Sequence, residues 1–460
     1  MGVAVDAQDN IYITGYFGGA GVNAFDADPG PGVFLLQSLS PILSRDCFII
    51  KLDSNGDFVW AKQISNASGA SQEDAQAIKI DSQGNLYIVG AFAFADFDPD
   101  PNVTYTLTSY QDKPNTFILK LNNNGIFQWV KKLDTTVASK GLSLDIDSAD
   151  NVYVGGRFQG GMDMDPDATN VVAVSSNGVF DAFVLKLSSN GTYVWGKTFG
   201  GTGTDTNNYL KVTPSGLYVT GDFQSTVDFN PDAGVNNKTA LATTSDGFIS
   251  KFDLNGNYIT TFTVGGAGGS ALQDITTVRQ SDYNTLYITG NFIGTADFDF
   301  STSSVANMTS NGYSDNFLLE VGLDGSYIQS FQIGGVGPEN LSNFEINSSR
   351  DLVMLGVFQS PTIDLNPFAG VDTYTNGGNG YQDCYLARIK LSSTLATGET
   401  NKNKSSVYPN PAKGELFVSD ANLLKSYKIY NTIGQTIKTG SAISKSINVK
   451  LLQKVLILLV

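Results

Sequence analysis

The side chains of this chain that could do chemistry are, above all, carboxylates spaced two residues apart. Asp96, Asp98 and Asp100 form one run, Asp163, Asp165 and Asp167 a second, and Asp228, Asn230 and Asp232 a third. Shorter versions occur at Asp26 with Asp28, Asp297 with Asp299 and Asp364 with Asn366. Oxygen ligands at alternating positions suit a hard cation. Calcium is therefore the candidate cofactor, and the residues of the three full runs are its candidate ligands. An EF-hand is excluded, because the places counted from Asp96 where its loop needs Gly and Glu hold Pro101 and Leu107. The competing expectation is structural: Phe97, Met164, Phe229 and Phe298 plug a core while the flanking acids cap a turn in water.

Other chemistry is narrowed by composition. The chain has no His, which removes Ser-His-Asp and Cys-His catalysis and the usual zinc sites. A glycosidase needs only two carboxylates at a set distance, so a carbohydrate-active enzyme using loop acids is the rival to a binding protein. The acids recur regularly along the chain, as structural turns do, and no catalytic residue is assigned; the expectation is a protein that is not an enzyme. Further acids at Asp74, Asp205, Asp274 and Glu339 are expected on a solvated surface. Arg157 is expected to pair with Asp163 or Asp165. Gly200-Gly201-Thr202-Gly203-Thr204 and Gly265-Gly266 lack the Lys and following helix of a phosphate loop, and mark connections between repeats.

The elements that must position these residues are repeats. An apolar stretch ends in Gly15, Gly90, Gly156, Gly221, Gly290 and Gly356, at spacings of 75, 66, 65, 69 and 66 residues. In the second copy four strands are predicted around Ala77–Asp81, Leu86–Val89, Phe117–Leu121 and Phe127–Val130. Ser82-Gln83-Gly84-Asn85 and Asn123-Asn124-Gly125 are tight-turn signals. Four antiparallel strands repeated radially are the blades of a β-propeller. The short turns and the long strand-two-to-three links are expected on opposite faces of the disc, the long links offering the recognition surface.

The pattern also resembles a known family. Asp46-Cys47-Phe48-Ile49-Ile50-Lys51-Leu52, then Asp53-Ser54-Asn55-Gly56 with Phe58 and Trp60, and again Asp181-Ala182-Phe183-Val184-Leu185-Lys186-Leu187, resemble the bacterial SBBP-type β-propeller repeat. The resemblance implies a secreted or surface propeller. Copy five departs from it with Glu320-Val321, and copies four and five have Thr260 and Gln329 in place of Trp. Copy six ends at Leu391 without a fourth strand. Met1 stands immediately before the first strand, so the missing strand is expected upstream and the chain is expected to be N-terminally incomplete. At the other end Val407-Tyr408-Pro409-Asn410-Pro411 and Ile429-Tyr430-Asn431-Thr432-Ile433-Gly434-Gln435 resemble a type IX secretion C-terminal sorting domain. That resemblance implies a small β-sandwich, an exported protein of the Bacteroidota and the type IX secretion machinery as partner.

The expected architecture is thus all-β: a propeller of about six four-stranded blades over residues 1–391, a linker over 392–406 and a sorting domain over 407–460. The formal charge is −16, with nine Lys and three acids after residue 392, so the propeller carries about −22. Such a surface excludes nucleic acid, which needs basic groups. No apolar run approaches the ~20 residues of a membrane span. Cys47 and Cys384 occupy equivalent slots in copies one and six; a bridge needs Cα atoms ~4.4–6.8 Å apart, and two half-buried thiols are the alternative. The functional expectation is a secreted or cell-surface binding and scaffolding module, attached to the outer membrane after export, with polysaccharide or another surface protein as ligand. A degenerate fragment without retained activity is the third reading.

Overall fold

A computed structural model describes residues 1–390 apart from 19–23, 39–44, 66–72, 242–244, 267–271, 281–284, 302, 347–350, 367–371 and 378–380. For 272–280, and for six strands beyond residue 390, it describes the backbone alone. The chain divides into two units, Met1–Leu391 and Ser392–Val460.

The first unit is six blades arranged as a β-propeller; apart from the 3-10 turn Tyr110–Asp112 its described elements are strands. Blade two shows the plan, with Asp74–Ile80 innermost, then Leu86–Phe92, Asn115–Leu121 and Phe127–Lys132, each antiparallel to its neighbour. Its turns form for local reasons. Asp81 accepts the backbone N–H groups of Gln83 (2.9 Å) and Asn85 (2.8 Å) while Gly84 takes a φ of +81°. Asn122 does the same for Asn124 and Ile126, with Gly125 at +71°. Both are side-chain-closed turns whose left-handed position suits Gly.

The anchor glycines meet a bulge. Opposite Gly90, Gly156, Gly221, Gly290 and Gly356 the innermost strand of each blade carries one extra residue. A Cβ on Gly90, Gly156 or Gly221 would land on the carbonyl oxygen of Asp74, Lys140 or Thr206. Only glycine lets the bulge close. The extra residues Gln76, Leu142, Asn208 and Ser342 are thereby pushed into a central cavity of about 640 Å³.

The core lies in layers between successive blades, since a single sheet cannot cover its own faces. One buried cluster joins Tyr12, Cys47 and Ile49 of blade one to Ile88 and Phe117 of blade two, and four equivalent clusters follow as far as blade six. A polar clasp reinforces the first four of these five layers. Lys51, Lys120, Lys186 and Lys251 lie 4.6–5.0 Å from the ring centroids of Tyr12, Tyr87, Tyr153 and Tyr218. Each ammonium donates to a carbonyl in the next blade's outer hairpin, at Asn123, Ser189, Leu254 and Leu323 (3.5, 3.3, 3.1 and 2.8 Å). Trp60, Trp129 and Trp195 lean on the same tyrosines and cover the hairpin glycines Gly125, Gly191 and Gly256. In copy four, where Thr260 replaces Trp, Phe262 covers Gly325. In copy five, Glu320 bonds to Gln329 (2.6 Å) and Thr285 (3.2 Å) of its own blade.

Blade six has three strands, Glu339–Ile346, Asp351–Phe358 and Asp383–Lys390. Among the described residues it shows no fourth strand and so no outer hairpin for a copy-five lysine to reach. Cys47 is buried, Cys384 is exposed, and both are free. In the second unit Val407–Tyr408, Glu415–Val418 and Ser446–Asn448 form one sheet. Ser426–Asn431, Thr436–Ser441 and Val455–Leu459 form another, so the terminal apolar run is a strand as expected.

Replacing Gly221 by Ala is expected to cost about 3 kcal/mol, because a carbonyl occupies the methyl's place. Gly161→Ala, where the new methyl meets only ordinary contacts, should stay within about 0.5 kcal/mol. Urea denaturation of the two variants checks both.

Candidate binding arms and their acidic turns

Between its second and third strands each blade sends out a two-stranded arm. Phe94–Asp96 pairs with Thr106–Thr108, Gly161–Asp163 with Ala173–Ser175 and Thr226–Asp228 with Asn237–Thr239. The arms of blades one, five and six keep the same register, opposing Asp26 to Leu35, Asp297 to Asn307 and Asp364 to Thr373. The acidic runs lie where the arm turns.

The first acid of every run closes that turn. Asp96 accepts the N–H of Asp98 (3.2 Å) and, across the arm, that of Tyr105 (2.8 Å). Asp163 takes Asp165 and Val172 (3.0 and 2.9 Å), and Asp228 takes Asn230 and Asn236 (3.1 and 2.8 Å). Asp26, Asp297 and Asp364 repeat this double acceptance. The second residue caps the third, Asp98 to Asp100, Asp165 to Asp167 and Asn230 to Asp232, all at 3.0 Å. The third reaches onward: Asp100 accepts Asn102, Asp167 accepts Thr169, and Asp232 pairs with Lys197 at 2.5 Å. Backbone hydrogen bonds hold the carboxyls of Asp100 and Asp167 below the usual range, and the Lys197 contact does so for Asp232. The runs are thus chains of side-chain-capped turns. Among the described residues no group of three or more acids or cysteines converges as a metal site would.

The residue after the first acid is the plug. Phe97, Met164, Phe229 and Phe298 are fully buried. Phe229 packs 4.9–5.4 Å, centroid to centroid, from Phe199 of the preceding blade and from Phe223 and Phe248 of its own. The arm also bonds backward, Asp96 N–H to Ser65 O and Asp163 N–H to Asp134 O, onto residues just beyond the preceding blade's outermost strand. Further along, Phe34 and Tyr105 rest on Phe58 and Phe127, the first residues of the outermost strands (5.1 and 4.9 Å). This corrects the expected placement. The long links do not stand on one face of the disc but lie along its rim, because the plug must reach the apolar seam between blades.

Four arms present a valine immediately before the residue that the first acid caps. Val33, Val171, Val235 and Val305 are 67–74 % exposed. Exposed tyrosines lie beside this rim at Tyr105, Tyr110, Tyr374 and Tyr381.

The acids expected on a solvated surface are placed differently. Asp205 and Glu339 are buried. Asp205 accepts the N–H groups of Gly201 (2.7 Å) and Gln224 (3.0 Å), and Glu339 accepts Gly335 (3.1 Å) and the Ser360 hydroxyl. They hold the inter-blade loops, which the Gly-Gly segments form. Asp74 pairs with Lys140 of the next blade at 2.5 Å. The side chain of Asp274 lies outside the described residues. Arg157 does not pair with Asp163 or Asp165. Its guanidinium lies over Phe180 at 4.7 Å, because its strand turns it away from the arm.

Sequence reasoning missed a further set of buried acids. Asp181 and Asp246 open third strands, Asp315 holds the equivalent place within Asn307–Gly322, and the three cap loop N–H groups of Asn177, Leu241 and Asn311. Each occupies the space that a side chain on Gly200, Gly265 or Gly334 would need. That glycine, seven residues after the aromatic that opens the outermost strand, was the readable sign. Burial pushes Asp205 up to about 7 and Asp222 and Asp246 up to about 6, and it raises Asp181, Asp315 and Glu339 as well.

Comparison with known proteins bears mainly on the second unit. Residues 406–455 match the family described as Secretion system C-terminal sorting domain. The chain therefore carries a tail of the kind used in type IX secretion, which places the protein outside the cell or at its surface. Over 438 residues the chain is 21 % identical to an uncharacterized WD repeat-containing protein of Acanthamoeba polyphaga mimivirus, covering 82 % of this chain but 31 % of that one. The chain thus spans about a third of that relative's length. A protein of unknown function from Bacteroides caccae aligns over 69 % of this chain and 93 % of its own, at 8 % identity and a TM-score of 0.28; a score so low carries no argument.

Two outcomes are expected. Groups whose folded pKa is raised bind protons more tightly in the native state, so stability should rise as pH falls from about 7 toward the ordinary carboxylate range. Groups held low, such as Asp81, Asp147 and Asp253 in the hairpin turns, lose their contribution below that range, so stability should then fall. Thermal melts from pH 8 to 3 would trace this maximum, and a monotonic profile would contradict it. Because hydrogen bonds close the arms without a cation, melting temperatures in chelator and in millimolar calcium should be equal. A calcium-dependent rise would instead make the acidic runs ligands.

Proposed function

We propose that this is an exported propeller that acts as a binding or scaffolding module at the cell surface or in the medium, through the arms on its rim. The observation that carries this reading is the repeated valine. Val33, Val171, Val235 and Val305 stand exposed at the same point of four arms in an otherwise acidic protein. Scattered apolar residues are ordinary on a surface; recurrence at one point of four arms is what sets these valines apart. The neighbouring tyrosines present ring faces of the kind that sugar rings stack on, so polysaccharide is the favoured ligand and another surface protein the second. The capped turns hold the tips rigid, which limits the ordering cost of binding.

An enzyme using loop carboxylates finds less support. Asp205 and Asp246 are buried in caps, Asp222 accepts from the Asn208 side chain, and the exposed acids of the arms are spent on turns, so among the described residues no paired acid and base stands out. The protein is accordingly read as a non-enzyme, with its tail engaging the type IX secretion machinery and anchoring it after export.

Incubation with a panel of polysaccharides, scoring retained protein and new chain ends in the same tubes, tests this. Retention without new ends is expected. The triple variant Val171→Asp, Val235→Asp and Val305→Asp should lose at least about tenfold in retention while keeping its melting temperature. New chain ends would make the protein an enzyme, and undiminished retention by the variant would move the site off the rim.

A further inference from the structure

We propose that two seams of the propeller, between blades three and four and between blades five and six, each hold a proton between two buried carboxyl groups. Loss of that proton loosens the seam, so these two joints are firm in acid surroundings and slack in alkaline ones.

The pairs follow from register. At each seam a residue at the start of the next blade's innermost strand donates its N–H to the carbonyl just before the residue that opens a third strand. Ser139 donates to Pro114 O and Asp205 to Phe180 O, both at 2.8 Å, which brings Ser139 beside Asn115 and Asp205 beside Asp181. Glu339 and Asp315 meet in the same way at the seam between blades five and six, where Asp315 lies against Gly334 and Glu339 accepts the N–H of Gly335 (3.1 Å). Asp46 and Glu73 take the same two places between blades one and two, both fully buried. The seam between blades two and three is the neutral version. There Thr135 donates to Asn115 Oδ1 (2.7 Å) and Ser139 Oγ accepts the N–H of Thr116 (2.9 Å).

Water does not reach the pairs. Asp181, Asp205, Asp315 and Glu339 are 0–2 % exposed. Asp315 Oδ1 is buried with no donor in reach among the described residues, while the Glu339 carboxyl stands at hydrogen-bonding distance from Asp315. Two carboxylates so placed repel each other, whereas an acid and a carboxylate bond. One proton therefore completes the contact. The remaining neighbours bring no charge: Asn311 N–H and the Gln332 amide donate to Asp315, the Ser360 hydroxyl donates to Glu339, and burial keeps the Tyr385 phenol beside Glu339 neutral. Around the other pair Asp222 adds a third acid, held by the Asn208 amide (2.9 Å) and close to Arg157.

These carboxyls also close the seam. Asp205 holds Gly201 and Gln224, Asp181 fills the space beside Gly200, and Glu339 holds Gly335. Burial raises Asp205 to about 7, with the Asp181 charge adding to it, and lifts Asp315 and Glu339 above the usual carboxylate range. A group whose folded pKa is raised binds its proton more tightly in the native state, so stability is lost as pH rises toward that pKa. Above it two like charges share a site without water, and the loops that they grip are released.

The test follows hydrogen exchange of the full chain by mass spectrometry at about pH 6 and about pH 9, corrected for the intrinsic chemical rate. One unit of raised pKa is a factor of ten in the opening equilibrium. Segments 200–206 and 334–340 should exchange at least about tenfold faster at the higher pH, and segment 133–139, at the neutral seam, should not. Asp315→Asn should remove most of the change over 334–340 and leave it over 200–206. The same variant should reduce the infrared band of protonated carboxyl at the lower pH. Glu339→Gln serves should that variant fail to fold. Equal acceleration in all three segments, or in none, overturns the proposal, as does acceleration undiminished by Asp315→Asn. Suppression of the change by millimolar calcium would overturn it in favour of a cation between the carboxyls. The valine rim enters none of these outcomes, so the two readings fail separately.

Discussion

Everything in the propeller depends on one blade holding the next. A four-stranded sheet has two faces and no core of its own, and the clasp decides how neighbours seat. A lysine laid over a tyrosine ring donates to a carbonyl in the adjoining hairpin, and a tryptophan covers the glycine of that hairpin. The ammonium is partly withdrawn from water and is recompensed by an oxygen, a ring face and a nearby carboxylate such as Asp147, 3.5 Å from Lys186. The contact fixes orientation as well as proximity, so the apolar seams meet in one register.

The acids divide by this same logic. Those in the tight turns, Asp81, Asp147 and Asp253, accept backbone N–H groups close to water. Those at the blade junctions do so where water is excluded, so the two sets respond oppositely to protons. The acids described here close the many loops that a propeller must make without helices.

Much of this was legible in the sequence, and the limits are physical. The period, the four strands and the turns could be read because alternation and Asn-Gly or Asp-x-x-Gly signals are local. The plug role of Phe97, Met164, Phe229 and Phe298 was legible from an apolar residue set between acids. The placement of the arms on the rim was not, because it follows from a seam between residues distant in sequence. The burial of Asp205 and Glu339 was missed for the same reason: a surface acid and a buried cap look alike until the loop they cap is folded over them. The departure at Glu320 was visible early, yet its meaning required seeing that Glu320 turns to Gln329 and Thr285 of its own blade.

The clasp also has a direction, since each of blades one to four reaches toward the one after it. Among the described residues four layers carry the clasp, from blade one to blade five, and the layer between blades five and six holds by apolar contacts without it. In a nearly one-dimensional assembly the opening free energy of a unit follows from the interfaces it shares. The layer between blades five and six is therefore the softest of the five described, and the clasped layers are the stiffer ones. Proteases and heat would find the same point of entry.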